Sequence, residues 1–188
     1  INAISSLDTL CLFREGTECG GRWSSLSKTT LKDFDESENA INMFESKTGE
    51  YLYRYFHPCT LDFLKQYSKD HGINREQPLF PRKIDEYNAE LKRAGEQAAI
   101  TFDLTTHVAM KHTFVSLASK HGWSLEEVSE QTGTDPNTLR EFYLGGVTEK
   151  VKAKTQGTEI KTEKWSDLIQ RLDIAYRKRY KEIKEGKN

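Results

Sequence analysis

The sequence is short of cysteine, of metal-binding motifs and of long apolar runs, and each shortage excludes a class of protein. Its three cysteines are odd in number and widely spaced, at Cys11, Cys19 and Cys59. They form no C-x-x-C pair and no metal pattern with the five histidines, so we expect reduced thiols in an intracellular protein without metal or cofactor. No apolar run approaches the roughly 18 residues of a membrane-spanning helix, and the opening residues lack the features of a signal peptide.

The composition is typical of a soluble globular domain. Of the 188 residues, 36% are hydrophobic and 30% are charged, and the mean hydropathy is −0.74. This length fits one domain with a substantial core and a short appendage. Because the chain starts at Ile1 without a methionine, we expect that it is a fragment and that an N-terminal domain is missing.

The charge is unevenly distributed along the chain. The net charge of −1 does not indicate a nucleic-acid binder, since such domains are often strongly basic. From Thr148 to Asn188, however, twelve Lys and Arg residues stand against seven Asp and Glu residues, whereas the rest of the chain holds sixteen against twenty-two. Contacts with phosphates need local rather than global positive charge. The charge balance therefore weakens a DNA-binding function without excluding it.

Apolar spacing predicts a mainly α-helical chain. The predicted helices cover about residues 4–13, 22–31, 58–71, 83–97, 106–121, 124–133, 135–145 and 165–184. The stretch Gly16–Gly21 should break the first helix. We expect one β-hairpin, with strands near Ala40–Ser46 and Tyr51–Phe56 joined by a turn at Lys47–Glu50, where Gly49 can take a positive φ. The predicted fold class is therefore α+β, mainly α with a small antiparallel β-sheet.

Helix-capping signals locate two consecutive helices late in the sequence. Ser124 and Glu127 have the spacing of a capping box, and Gly133 should end that helix. Asp135-Pro136 is typical of the start of the next helix, with aspartate as N-cap and proline at the first helical position. This second helix carries Tyr143.

Residue spacing connects that tyrosine to an earlier helix. The run Lys111-His112-Thr113-Phe114 is followed by Gly122, Gly133 and Tyr143, which lie 11, 22 and 32 residues after Lys111. This pattern resembles the C-terminal half of the tyrosine site-specific recombinases, or integrases. In that family an R-H-T-F-like segment, a glycine, an L-G-H segment and the nucleophilic tyrosine follow one another at these spacings.

The N-terminal half of the sequence resembles the same family. The first family box, T-G-x-R-x-x-E-L, matches the segment around Arg22, with Ser25 at the glutamate position. The family lysine in a β-hairpin turn matches Lys47, and the family L-F-P segment matches Leu79–Pro81. The resemblance covers roughly residues 4–147 and implies the catalytic fold of a tyrosine recombinase.

The resemblance implies cleavage and rejoining of double-stranded DNA through a 3′-phosphotyrosyl intermediate, with no metal or ATP. Tyr143 would be the nucleophile, Arg22 would hold the scissile phosphate with its planar fork, and Lys47 would protonate the departing 5′-oxygen. These residue types suit the reaction. A phenol must attack phosphorus in line, and cations must neutralise the charge that builds on the non-bridging oxygens.

The remaining catalytic positions depart from the family pattern. The second box, H-x-x-R, reads Val108 and Lys111 here, and Thr134 stands at the later His or Trp position. Lys111 keeps the positive charge of the family's arginine but lacks its planar guanidinium. Loss of one such hydrogen-bond donor lowers the rate of the reaction by about 10²–10³-fold. Thr134 is a candidate hydroxyl donor to the phosphate. His107 is a candidate substitute for the missing base, although on an α-helix it points about 100° from Val108; we interpret His112 as structural.

The departures leave two explanations open. In one, Lys111 is a deliberate replacement of an arginine and the other differences are natural; in the other, the whole set is natural in a divergent archaeal or viral branch. Three functions also remain open: an active or weakened recombinase of a mobile element, a DNA-binding relative without catalysis, and a type IB topoisomerase. The short chain and the order of the boxes fit the topoisomerase least well.

The domain organisation follows from the extent of the resemblance. Residues 1–147 should form the catalytic domain, and residues 148–188 a basic linker and a C-terminal amphipathic helix. That helix is expected to dock, in cis or in trans, rather than to contact DNA directly. The resemblance further implies a homotetramer on DNA. We expect a location in the cytoplasm of a prokaryotic host cell, or in the nucleus if the host is eukaryotic.

Overall fold

The computed structural model describes residues 1–46, 48–143, 156 and 163–187. Its α-helices are α1 (Leu7–Cys19), α2 (Trp23–Leu26), α3 (Pro58–Asp70), α4 (Ile84–Gln97), α5 (Thr113–Lys120), α6 (Leu125–Thr132), α7 (Pro136–Tyr143) and α8 (Trp165–Lys184). The strands are β1 (Phe34–Asp35), β2 (Ala40–Glu45) and β3 (Glu50–Tyr55). A 3-10 turn covers Leu31–Asp33, and a π-helical segment, His107–His112, leads directly into α5. No helix in these ranges is long and apolar enough to cross a membrane.

The three strands form one antiparallel sheet in the order β1-β2-β3. β2 and β3 pair along their whole length, from Ala40 opposite Tyr55 to Glu45 opposite Glu50, which confirms the predicted hairpin. Alternate side chains of a strand face opposite sides of the sheet. The exposed side of β3 carries Tyr51, Tyr53 and Tyr55. β1 was not predicted, because a two-residue strand is too short to show alternation.

Helix α1 runs through the stretch that was expected to break it. The helix ends at Gly20, whose φ is 61° and whose N–H donates to the Gly16 carbonyl. The predicted break at Gly16 was wrong, because this glycine serves close packing instead. A Cβ added at Gly16 would lie 2.3 Å from Cγ of Met110 in the π-helical segment. The absence of a side chain at Gly16 therefore lets the two helical segments touch.

The predicted helix over residues 22–31 was too long. α2 ends at Leu26, and Thr30 takes extended backbone angles. The Thr30 N–H and hydroxyl both donate to Asp33 Oδ2 at 2.8 Å, and Thr30 pairs with Pro78 in an isolated β-bridge. Threonine often favours such local bonds over helix, so the segment turns from α2 into the sheet.

The C-terminal helix α8 docks on α1 and α3 within the same chain. Tyr176 and Tyr180 are buried and meet the ring of Phe63 edge-on, with centroids 6.1 and 5.2 Å away. Beneath them, Arg14 Nη1 lies 2.5 Å from Asp173 Oδ1. The expected docking of this helix is thus present in cis, and α8 contributes to the main core.

A second, smaller core holds α5, α6 and α7 together. Its buried members are Phe114, Val115, Ala118, Val128 and Leu139, with Trp123, Leu125 and Trp165 packed against them. The predicted capping box of α6 is present, with Ser124 N donating to Glu127 and Glu127 N donating to Ser124. Asp135 caps α7 as predicted, since its carboxylate accepts the N–H groups of Asn137 and Thr138. These caps fix the first turns of α6 and α7.

We predict that Gly16→Ala destabilises the protein. Helix propensity alone would favour alanine by about 1 kcal/mol, but the new methyl group would collide with Met110. Overpacking of this kind costs typically about 1–3 kcal/mol. We expect a net decrease of about 1–2 kcal/mol in the free energy of unfolding, measured by urea denaturation.

The double variant Gly16→Ala/Met110→Ala provides the control. Shortening Met110 opens space for the added methyl group, so the double variant should be more stable than the sum of the two single effects predicts. Strict additivity, or a stabilising Gly16→Ala, would contradict the close contact between α1 and the π-helical segment.

Candidate active site

The carboxylate of Glu45, at the end of β2, is the centre of the candidate site. Glu45 is fully buried and accepts hydrogen bonds of 2.7 Å from the Ser25 hydroxyl and from Arg54 Nη2. Arg22 Nη1 lies 3.5 Å from Glu45 Oε2, at ion-pair distance. One carboxylate thus binds the first predicted box, through Arg22 and Ser25, to the hairpin.

Arg54 extends this connection to the end of α6. It is fully buried, and its Nη1 donates to the Gln131 carbonyl. The Gln131 side chain in turn binds the backbone of Tyr55, accepting from its N–H at 3.1 Å and donating to its carbonyl at 2.7 Å. The edge of β3 is therefore fastened to the last turn of α6.

These contacts hold the loop of Thr134 against the sheet. Gly133 ends α6 at φ 60°, a conformation that suits glycine, and a Cβ there would lie 2.7 Å from Leu52 and 3.4 Å from Glu45 Oε2. Thr134 is buried, and within the described residues its hydroxyl has no hydrogen-bond partner. The structure therefore brings the Thr134 loop close to the carboxylate that pairs with Arg22.

The π-helical segment contributes Lys111 and two histidines. Lys111 is only 3% exposed. The rings of His107 and His112 meet edge to face, with centroids 4.9 Å apart. Partial burial, followed by the charges of His112, Lys111 and Arg22, lowers the pKa of His107 below its usual value. These charge effects link His107 to both predicted phosphate-binding cations.

Four of the six predicted site residues can therefore be located in the fold. Arg22, Thr134, Lys111 and His107 lie on three separate stretches of the chain: the start of α2, the α6–α7 loop and, for the last two, the π-helical segment. Lys47 lies outside the described residues. Tyr143 is the last residue of α7, and its side chain also lies outside the described part. The catalytic roles of all six stay predictions.

The buried ion pair of Glu45 and Arg54 was not predicted from the sequence. A signal was available, because both residues fall on the apolar side of the predicted hairpin. Glu45 continues the buried alternation of Ile41 and Met43, and Arg54 lies directly opposite Ile41. Two opposite charges on the inner side of a strand pair indicate a buried ion pair.

Buried carboxyl groups near the site are protonated more readily than usual. Glu15 on α1 is fully buried, and burial raises its pKa to about 8, although the positive charge of Arg54 opposes the shift. Burial likewise raises the pKa of Glu18 to about 7, against hydrogen bonds from Thr60 and the His57 N–H. Glu15 therefore adds little negative charge beside Arg54 at neutral pH, whereas Glu18 is partly ionised there and interacts with Arg14. Within the described residues no group of three His, Cys, Asp or Glu side chains could hold a metal ion.

Comparisons with known proteins identify the fold and the family. The chain is 32% identical over 143 residues to the tyrosine recombinase XerA of Saccharolobus solfataricus, an alignment that covers 76% of this chain and 47% of the relative. A crystal structure of XerA recombinase matches with a TM-score of 0.61 at 16% identity, covering 82% of this chain and 65% of that one. A pre-cleavage complex of XerH site-specific recombinase with difH substrate matches with a TM-score of 0.63 at 17% identity, covering 78% and 46%. The chain belongs to the tyrosine recombinase family.

The family assignment confirms the predicted resemblance and the predicted fold class. No protein-family model matches the chain. The chain spans about half the length of the curated relative that it matches. The match to tyrosine recombinases therefore concerns their catalytic fold, and the activity of a whole recombinase is a matter for proposal.

We predict that the ion pair of Glu45 and Arg54 is required for stability. Arg54→Met would remove the nearer cation of the buried Glu45 carboxylate, at 2.7 Å, and leave Arg22 at 3.5 Å. Breaking a buried pair in this way costs about 3–5 kcal/mol. The double variant Glu45→Met/Arg54→Met should recover most of that loss, because the buried carboxylate is removed together with its nearer cation, and Arg22, whose side chain is 24% exposed, can be hydrated. Urea denaturation of the three proteins measures the effect.

The exposed ion pair of Lys32 and Glu76, whose side chains are 52% and 71% exposed, provides the matched control. Lys32→Met should change the free energy of unfolding by no more than about 1 kcal/mol. An Arg54→Met variant as stable as this control would show that the buried pair does not hold the site together.

Proposed function

We propose that this chain is the catalytic domain of a site-specific recombinase that cuts and rejoins duplex DNA through Tyr143. The observation that carries the proposal is the joint anchoring of Arg22 and the Thr134 loop on the buried pair of Glu45 and Arg54. Such an anchor holds phosphate-binding groups from distant parts of the sequence in fixed relative positions. Preorganised donors are what phosphoryl transfer requires.

In this proposal the charges of the site serve the scissile phosphate. Arg22 binds its non-bridging oxygens, and Lys111 adds a second positive charge in place of an arginine fork. The Thr134 hydroxyl, buried without a partner in the described residues, donates a hydrogen bond to the phosphate. A polar group buried in this way costs free energy until a ligand satisfies it.

The covalent steps need only protein groups. The phenolic oxygen of Tyr143 attacks phosphorus and displaces the 5′-oxygen, to which Lys47 gives a proton. The phosphotyrosyl bond keeps the energy of the broken phosphodiester, so the reverse attack by a 5′-hydroxyl rejoins DNA without metal or ATP. The relative XerH, described as a site-specific recombinase bound to its difH substrate, supports duplex DNA as the substrate class.

The biological setting follows from this activity. In this proposal the protein acts on DNA as a homotetramer. It does so in the cytoplasm of a prokaryotic host or in the nucleus of a eukaryotic one. An integrase function for a mobile element, such as a virus, fits the departures from the family boxes. The residues at Val108, Lys111 and Thr134 favour slow rather than fast strand cleavage.

A second candidate function is DNA binding without catalysis. It is favoured by Val108, which cannot accept a proton, and by the replacement of a guanidinium fork at Lys111.

We predict that Tyr143 forms a covalent bond with DNA. The probe is a library of nicked suicide duplexes with randomised sequence beside the nick, and the readout is a protein–DNA adduct that survives denaturing electrophoresis. Tyr143→Phe should abolish the adduct, whereas Tyr53→Phe, which alters an exposed tyrosine of β3, should leave it unchanged. If neither the natural chain nor Lys111→Arg forms an adduct, the binding function replaces the proposed one.

We predict that Arg22→Ala abolishes cleavage while much of the duplex binding remains. The guanidinium acts on the charge that develops in the transition state, so its loss should lower the single-turnover rate by at least about 10²-fold. Arg75→Ala, a matched change in the exposed turn after α3, should keep the natural rate. Gel-shift titration on the same duplex measures binding, and an unchanged cleavage rate in Arg22→Ala would contradict the match of the first box.

A further inference from the structure

Tyrosine recombinases carry a histidine in the second box and a histidine or tryptophan at the later position, and this chain has histidine at neither. Val108 and Thr134 occupy these two positions, and neither side chain can take up a proton near neutral pH. If Tyr143 attacks phosphorus, its phenolic proton still needs an acceptor. Two other imidazoles, those of His107 and His112, lie within the charge cluster of the candidate site.

The contact between these histidines depends on the π-helical segment. In a regular α-helix, residues five apart point about 140° away from each other. Here the rings of His107 and His112 touch, with centroids 4.9 Å apart and an interplanar angle of 81°. The hydroxyl of Thr113 reaches the Val108 carbonyl at the same five-residue spacing, at 3.3 Å. Such π-helical turns within α-helices occur frequently at functional sites.

The wider turn brings His107, which precedes Val108, into contact with His112. On an α-helix His107 would point well away from the expected base position. In the structure His107 is exposed and its ring contacts the ring of His112. Together with partial burial, the charges of Lys111, on the same segment, and of Arg22, at the start of α2, lower the pKa of His107. The described residues therefore supply an accessible imidazole beside both phosphate-binding cations.

The surroundings keep this imidazole uncharged near neutral pH. Partial burial and the charges of His112, Lys111 and Arg22 all lower the pKa of His107, and partial burial and Lys111 lower that of His112. Each shift favours the neutral ring, which is the form that accepts a proton. A general base works best when it is neutral at the operating pH and close to its proton donor.

We infer that His107 is the general base of the strand-cleavage step and that His112 positions its ring. The inference rests on the proposed function. As the phenolic oxygen of Tyr143 bonds to phosphorus, the phenolic proton passes to His107. The bond from phosphorus to the 5′-oxygen breaks, and that oxygen receives a proton from Lys47. In the rejoining step the 5′-hydroxyl gives its proton back to Lys47 as its oxygen bonds to phosphorus, the bond from phosphorus to the tyrosine oxygen breaks, and His107 returns its proton to that oxygen.

The test is a single-turnover cleavage profile of the natural chain from about pH 5 to about pH 8, on a nicked duplex recovered from the adduct library. The rate should fall at low pH, with an apparent pKa below the ordinary imidazole value. His107→Gln should lower the plateau by about 10²-fold or more and remove the low-pH decline. His112→Asn should lose less activity and shift the decline to higher pH, because one source of positive charge beside His107 is gone.

Two further measurements separate a base from a structural residue. Added imidazole should restore part of the rate of His107→Ala, which a purely structural role would not allow. His71→Gln, which changes an exposed histidine after α3, should keep the natural profile. Thermal unfolding of each variant shows whether it is folded at the assay temperature.

The outcomes distinguish this inference from the proposed function. An adduct at the natural rate in His107→Gln, or an unchanged low-pH decline, overturns the role of His107 and leaves the recombinase proposal standing. Recovery of His107→Gln on a duplex with sulfur at the bridging 5′ position would assign the proton to the leaving group and overturn the base assignment. Absence of any adduct with both the natural chain and Lys111→Arg overturns both proposals.

Discussion

The buried ion pair of Glu45 and Arg54 is the interaction on which the site depends. Two charges that leave water lose several kcal/mol of solvation each, and their attraction repays this only when the remaining donors and acceptors are also satisfied. Here the additional partners are Ser25, the Gln131 carbonyl and Arg22. Because this one ion pair needs all of these partners, it fixes the relative positions of the start of α2, the hairpin and the end of α6.

This arrangement also explains how a chain with a negative overall charge can present a positive site. Arg22 and Arg54 both pair with one carboxylate, that of Glu45, in the described part of the site. Glu15 lies close enough to Arg54 to interact with it, yet burial favours its neutral form. Selective protonation of interior carboxyl groups leaves a local surplus of positive charge for an anionic ligand. Net charge alone is thus a poor guide to an anion-binding function.

Much of the fold was predictable because local signals and tertiary packing agree. The bounds of α4 and α8 follow from apolar spacing, and the caps at Ser124 and Asp135 follow from side-chain chemistry. The errors arose where a distant contact decides the local structure. From the sequence alone Gly16 predicts a break in the helix, whereas in the structure its missing side chain leaves room for Met110.

The sequence yielded candidate site residues, whose roles stay predictions, but not the geometry of the site. Spacing located Arg22, Lys111 and Thr134, since each lies at a fixed distance from a glycine or a tyrosine in the sequence. The π-helical segment could not be foreseen, because its apolar residues Ala109 and Met110 suit an α-helix equally well. One wider turn changes which side chains share a face of the helix, and the spacing of apolar residues in the sequence does not reveal such a turn.

Arg179 has a consequence for the connectivity of the chain. Its guanidinium donates to the carbonyl of Ile4 at 2.8 Å and to that of Lys187 at 3.2 Å, so residues near the two ends of this chain meet on one side chain. A short peptide could join them without disturbing α1 or α8. The polypeptide could then be reopened in the exposed turn at residues 96–99, and the circularly permuted protein would keep every contact of the site while presenting new ends for fusion.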